Sequence, residues 1–128
     1  MNSVDARPPV SAWEWREGMP IENTLRLPAR SAHALILHRL DSETLSQPEV
    51  AEWLADPATR VFGGGSNVVF VDAQVERSVH LSASRWWVER ATADQVDLVA
   101  EGGLELDRLV RDTAGRGWFG LEALAEIP

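Results

Sequence analysis

A chain of 128 residues with 45% apolar and 25% charged side chains is sized for one ordinary domain or two small lobes, not a large multidomain enzyme. Its formal net charge of −8 argues against a general nucleic-acid binder, because a phosphate backbone rewards a basic surface. With no cysteine, disulfides, a thiol nucleophile and thiolate metal ligands are excluded together.

Residues 1–20 carry Pro8, Pro9, Gly18 and Pro20 without a sustained period, and read as a flexible leader. Trp13 and Trp15 offer an alternative, since one face of a short extended piece could dock them on the body. Leu25–Leu27 reads as a short strand before Pro28, and Ala32–Leu40 as a second strand around Ala34-Leu35-Ile36-Leu37. Ser42 is a credible helix cap. Val50, Trp53 and Leu54 have the spacing of one helix face, with Gln47 at the start, Pro48 in the first turn and Asp56-Pro57 as the stop. Thr59–Phe62 is then a buried strand.

Val61-Phe62-Gly63-Gly64-Gly65-Ser66-Asn67-Val68-Val69-Phe70 follows, with three glycines, a hydroxyl and an amide between Val- and Phe-rich flanks. Consecutive N–H groups in such a bend form a concave anion site, to which Ser66 and Asn67 can add donors. A phosphate or pyrophosphate is one reading, and a tight turn whose Ser and Asn serve the backbone is the other. No lysine follows the glycines, and the chain contains none, which removes a P-loop; Val68 stands where the dinucleotide spacing needs glycine. Val68–Val71 reads as strand, so the unit is strand–loop–strand.

Ser78–Leu81 is expected to join the same sheet. Trp86–Glu89 and Gln95–Ala100 read as paired strands joined at Ala93-Asp94, with Trp86 and Trp87 on opposite faces. After the turn at Gly102-Gly103, Leu106, Leu109, Val110 and Thr113 line one face of a helix punctuated by Gly115 and Gly117. The apolar tail from Trp118 to Pro128 suggests a truncated product or an excised lobe.

Chemistry of its own is sparse. Glu122 and Glu126 would share a helical face as solvated like charges rather than an acid–base pair. Ser66 lacks the setting of a nucleophile and reads as a donor. His33, His38 and His80 have no metal-ligand spacing, so neither a catalytic residue nor a metal site is assigned. No apolar stretch approaches membrane-spanning length and no signal peptide is evident, so a cytoplasmic protein is expected.

Taken together, Asn23-Thr24, the strand at Leu35–Leu37, Phe62–Phe70, Gly103 with Leu106 and Arg108-Leu109-Val110, and Gly117–Pro128 carry a resemblance. Over residues 21–128 the chain resembles the N-terminal part of the UDP-N-acetylenolpyruvoylglucosamine reductase (UDP-N-acetylmuramate dehydrogenase) family. That resemblance implies an α+β fold of the vanillyl-alcohol oxidase and para-cresol methylhydroxylase FAD-binding type. It further implies a leader at 1–20, a first FAD-binding lobe at 21–81, a partial second lobe at 82–128 and an absent C-terminal substrate domain. Gly63, Gly64, Gly65, Ser66 and Asn67 would meet the FAD diphosphate, while Glu122 and Ile127 would border the flavin cleft. The family's reaction uses NADPH and FAD to reduce UDP-N-acetylglucosamine enolpyruvate to UDP-N-acetylmuramate for peptidoglycan synthesis. The implied partner is thus a UDP-sugar, with no nucleic acid and no membrane, and the 128-residue chain alone is expected to be inactive. Arg26-Leu27-Pro28-Ala29 replaces a more glycine-rich stretch, and Glu101 stands where a glycine is usual before Gly103. The alternatives are another FAD-linked oxidase of the same fold, or a non-catalytic remnant or interaction module.

Overall fold

The computed structural model describes residues 11–125. Within them the chain forms β1 (Trp13–Pro20), β2 (Arg30–Leu37), α1 (Ser42–Leu45), α2 (Pro48–Ala55), β3 (Arg60–Phe62), β4 (Gln74–Leu81), β5 (Trp86–Ala91), β6 (Val96–Ala100) and α3 (Leu106–Gly115). A 3-10 turn at Glu122–Leu124 follows. The architecture is mixed α and β: a four-stranded sheet in the order β1-β2-β4-β3, and a separate β5-β6 hairpin beside α3. Among the described residues, no helix is long and apolar enough to cross a membrane.

β2 and β4 are the central strands. β2 is buried along its apolar half, from Ala34 to Leu37, as a strand covered on both faces requires. β4 lies parallel to both β2 and β3, whereas β1 runs antiparallel to β2. Leu35, Leu37 and Val79 present one face, on which α2 lays Val50; Trp13, Leu45 and Trp53 pack around them. Pro48 suits the first turn of α2 because its missing N–H has no helical acceptor there. The Trp53 indole N–H donates to the Ser78 carbonyl at 3.1 Å, and the Arg77 guanidinium stacks 3.7 Å from the centre of the Trp53 ring. Helix and sheet are thereby joined by a polar anchor as well as by apolar contact.

Ser31 and Ser78, both fully buried, continue the polar network. Ser31 Oγ donates to the His33 carbonyl at 2.9 Å, Ser78 Oγ donates to Ser31 Oγ at 2.6 Å, and His80 Nε2 lies 2.8 Å from Ser78 Oγ. A second apolar cluster of Ile21, Ala29 and Phe62, with Val68, Phe70 and Val75 against it, secures the loops at one side of the sheet.

Several expectations are corrected. Residues 13–20 are not leader but the edge strand β1; Trp13 faces Leu37 in register, and Trp15 meets Trp53 edge-on at 4.6 Å. Residues 1–10 of the expected leader lie outside the described residues. Leu25–Leu27 is not a strand. The Asn23 side chain accepts from Leu27 N–H at 3.0 Å and donates to the Leu27 carbonyl at 2.9 Å, closing a loop in which Arg26 has φ 53°. This local bonding takes the place of a ladder. Val68–Val71 also forms no strand: Val68 and Phe70 turn inward to the second cluster while Val69 and Val71 are exposed. The alternation is real, but no neighbouring strand pairs with it. Thr59–Phe62 is a strand from Arg60, and only Phe62 is buried because β3 is an edge.

The helix cap is Asp41, not Ser42, which is the first residue of α1. Its carboxylate accepts from Thr44 N–H at 2.8 Å and from the Thr44 hydroxyl at 2.7 Å. The Thr44 backbone bond, then the Thr44 hydroxyl and Arg39, hold the Asp41 pKa down to about 2.

The hairpin and α3 form a smaller packed unit. The Trp86 indole donates to Asp112 Oδ2 at 3.0 Å, and Trp118 meets the Trp86 ring edge-on at 6.5 Å. Trp87, on the opposite face of β5, remains 45% exposed, so the adjacent tryptophans do separate as alternation requires. Leu109, Val110 and Thr113 are the buried stripe of α3.

Two outcomes test these contacts. Leu35→Ala is expected to destabilise the chain by about 2–5 kcal/mol, read from urea unfolding, because Leu35 is fully buried between sheet and helix. Because the Asp41 value lies below its ordinary 3.8, the cap's contribution is fully present above that pH and is lost as pH falls toward about 2. Asp41→Asn, whose amide also caps helices, is expected to remove that part of the acid dependence in thermal melts between those pH values.

Candidate functional site

Parallel pairing sets the place of the glycine loop. Leu37 pairs with Leu81 and Phe62 with His80, so β2, β3 and β4 end at nearly the same level. Ligands of open sheets with parallel strands collect outside such carboxyl ends. Gly63 begins directly after β3, and Ser82 directly after β4.

The structure separates the roles of the three glycines. Gly65 is buried with φ 72°, and an added Cβ would collide with the Glu22 carbonyl oxygen and come within 3.2 Å of Asn23 Cα. Its lack of a side chain therefore serves the chain's own packing: the loop presses against the Asn23 turn. Gly63 and Gly64 are exposed. A Cβ on Gly63 would stand 3.7 Å from the Gly102 carbonyl oxygen, and one on Gly64 would meet nothing closer than Ser66 Oγ at 3.7 Å. Ordinary contacts of that kind leave the outer rim of the loop open for an approaching group.

Among the described residues, no turn or side-chain hydrogen bond uses the N–H groups of Gly64, Gly65, Ser66 or Asn67, nor the Ser66 hydroxyl or the Asn67 amide. Together these unshared donors suit a diphosphate, whose oxygens only accept.

Facing Gly63 is the turn at Glu101–Gly103. Gly103 N–H donates to the Ala83 carbonyl at 2.9 Å, and an added Cβ would collide with the Leu81 carbonyl oxygen. Glu101 is 7% exposed; its carboxylate accepts from the Arg85 N–H at 2.7 Å and from Arg85 Nη2 at 2.7 Å. The Arg85 side-chain bond is the main reason that its carboxyl is held below the usual carboxylate range. At position 101, where the resemblance expects glycine, a buried carboxylate pairs with an exposed guanidinium.

Glu122 bonds locally. Its Oε2 accepts from Gly120 N–H at 2.6 Å, within a 3-10 turn that packs on α3, and backbone hydrogen bonds lower its pKa. Among the described residues, no hydrogen bond or ion pair joins it to Gly63–Asn67, and Ile127 lies outside them. A cleft of about 850 Å³ lies between β6, α3 and residues 117–121 and includes no residue of the glycine loop. It is the open flank of a two-stranded hairpin. No group of three potential metal ligands occurs among the described residues. Two contributors escaped the sequence reading: Asn23 as the brace under Gly65, and Arg85 as the partner of Glu101. The first had a signal in its Asx-type loop chemistry, while the second depends on a contact sixteen residues apart.

No family model matches the sequence. Among curated proteins, the UDP-N-acetylenolpyruvoylglucosamine reductase of Psychrobacter sp. is 34% identical over 107 residues, covering 83% of this chain and 27% of that protein. The Saccharopolyspora erythraea protein of the same name is 35% identical over 106 residues, covering 82% of this chain and 28% of that protein. That of Salinispora arenicola is 42% identical over 69 residues, covering 53% of this chain and 19% of that protein. The chain is similar to part of this reductase, and spans about a quarter of the length of the first two relatives.

The two inner glycines can be told apart by stability. Gly65→Ala is expected to cost at least about 1–3 kcal/mol in urea unfolding, from its positive φ and the collision with Glu22. Gly64→Ala, in open space, is expected to leave the midpoint nearly unchanged.

Proposed function

We propose that this relative of UDP-N-acetylenolpyruvoylglucosamine reductases supplies the FAD-diphosphate cradle of a reductase of that type. The fold in this reading is the vanillyl-alcohol oxidase type of FAD-binding fold, with the four-stranded sheet as first lobe and the hairpin with α3 as the start of the second. The observation that carries the reading is the glycine loop at the carboxyl end of β3, where, among the described residues, the N–H groups of residues 64–67 and the Ser66 and Asn67 side chains make no hydrogen bond. The shared sequence with proteins of that name supports it over an oxidase of the same fold.

In this reading each residue has a distinct part. Gly63 and Gly64 leave room for phosphate oxygens to reach the main chain. The N–H groups through Asn67 donate to them, and Ser66 and Asn67 add side-chain donors. Gly65 fixes the curvature by packing on the Asn23 turn. Glu122 and Ile127 are proposed to border the flavin cleft. In the parent reaction, FAD bound here would carry hydride from NADPH to the enolpyruvyl double bond of the UDP-sugar, in the cytoplasm, during peptidoglycan precursor synthesis. No residue of this chain is given a catalytic role, and reductase turnover by the 128 residues alone is not part of the proposal.

Titration of the purified chain with FAD, followed by flavin fluorescence and calorimetric heat, tests the reading. Saturable binding, lost in a Gly63→Val variant that remains folded by circular dichroism, is expected. Absence of any saturable FAD binding by the wild-type chain, or binding indifferent to Gly63→Val, would overturn the assignment.

A further inference from the structure

The Arg85–Glu101 pair sits where the two packed units of the chain are connected. Arg85 immediately precedes β5, and Glu101 immediately follows β6. The backbone bond from Glu101 N–H to the Arg85 carbonyl, at 2.9 Å, closes the base of the hairpin. The Glu101 carboxylate then doubles that closure, binding both the Arg85 N–H and its guanidinium. Its side chain is 4% exposed, whereas that of Arg85 is 66% exposed. A buried carboxylate with one cationic partner and a main-chain donor is costly to displace once desolvated. The following residues inherit the constraint: Gly102 directs its carbonyl toward Gly63, and Gly103 is locked to Leu81 and Ala83 by close approach and by its own N–H. The turn that faces Gly63 is thus braced at its first residue by this ion pair. Asp41 also lies within electrostatic reach of both members and opposes the charge on Glu101.

We infer that Arg85 and Glu101 are positioning residues for the glycine loop: by holding the 101–103 turn against Gly63, they set the path of Gly63–Asn67 without touching a ligand. The consequence for FAD affinity rests on the function proposed above; the consequence for the loop does not. The two are separable in one set of variants of the full 128-residue chain. Without ligand, amide spectra of Glu101→Ala should show shifted Gly63–Asn67 signals with faster hydrogen exchange, and Glu101→Gln, which keeps an acceptor for Arg85 N–H, should restore them largely. Should Glu101→Ala fail to fold, Arg85→Met removes only the exposed guanidinium and should produce the same shifts in weaker form. Asp112→Asn, which perturbs the Trp86 anchor away from this turn, should leave the loop signals in place. Loop signals that stay fixed while only residues near 85 and 101 move would overturn the inference. In parallel, the FAD dissociation constant of Glu101→Ala should rise by about tenfold, the scale of a lost supporting contact. If the wild-type chain binds no FAD, the functional reading falls while the ligand-free spectra still decide this one.

Discussion

The parallel ladder that places β4 between β2 and β3 is the constraint on which the remaining structure depends. Parallel neighbours must exit at the same edge of the sheet, so the residues after Leu37, Phe62 and Leu81 are gathered together although they are far apart in sequence. Ser82 and Ala83 then donate to the Leu37 carbonyl, tying the exit of β4 to that of β2. The glycine loop leaves from this edge and the 101–103 turn packs beside it, whereas the Asn23 turn joins β1 to β2 at the opposite end of the pair and meets the loop through Gly65. α2 enforces the arrangement from behind, since Val50 and Trp53 fill the face formed jointly by β2 and β4.

Electrostatics gives the site an unusual character for an anion. The chain carries a formal charge of −8, so long-range attraction does not favour a phosphate group. Under the proposed function, recognition would rest on oriented main-chain N–H dipoles of residues 64–67 at short range.

What was legible in the sequence follows from the range of the interactions. α2 and α3 were readable because proline, the apolar stripe and terminal glycines act within a few residues. The β5–β6 hairpin was readable for the same reason. β1 was missed because its proline and glycine content suggested a leader, whereas its tryptophans are held by Leu35, Leu37 and Trp53 from distant segments. Val68–Val71 misled in the opposite direction: alternation predicts which side chains turn inward, but only a partner strand makes a ladder. At the candidate site the loop itself was evident in Gly63–Asn67. The division of labour among its glycines was not, because the obstacle at Gly65 is the backbone of Glu22 and Asn23. Likewise Glu101 stood out as a departure, while its partner was settled only by folding.

The buried serine relay has a consequence for the imidazole at its end. Each hydroxyl has a single proton to give; Ser31 spends its own on the His33 carbonyl and Ser78 on Ser31. The only role left to Ser78 toward His80 is that of acceptor, so the ring must carry hydrogen on Nε2. Desolvation lowers its pKa, keeping the neutral form with a bare Nδ1 lone pair at ordinary pH. Uptake of a proton would occur at Nδ1, leaving the relay's orientation intact, and the strand thus contains a histidine whose tautomer is chosen by two serines.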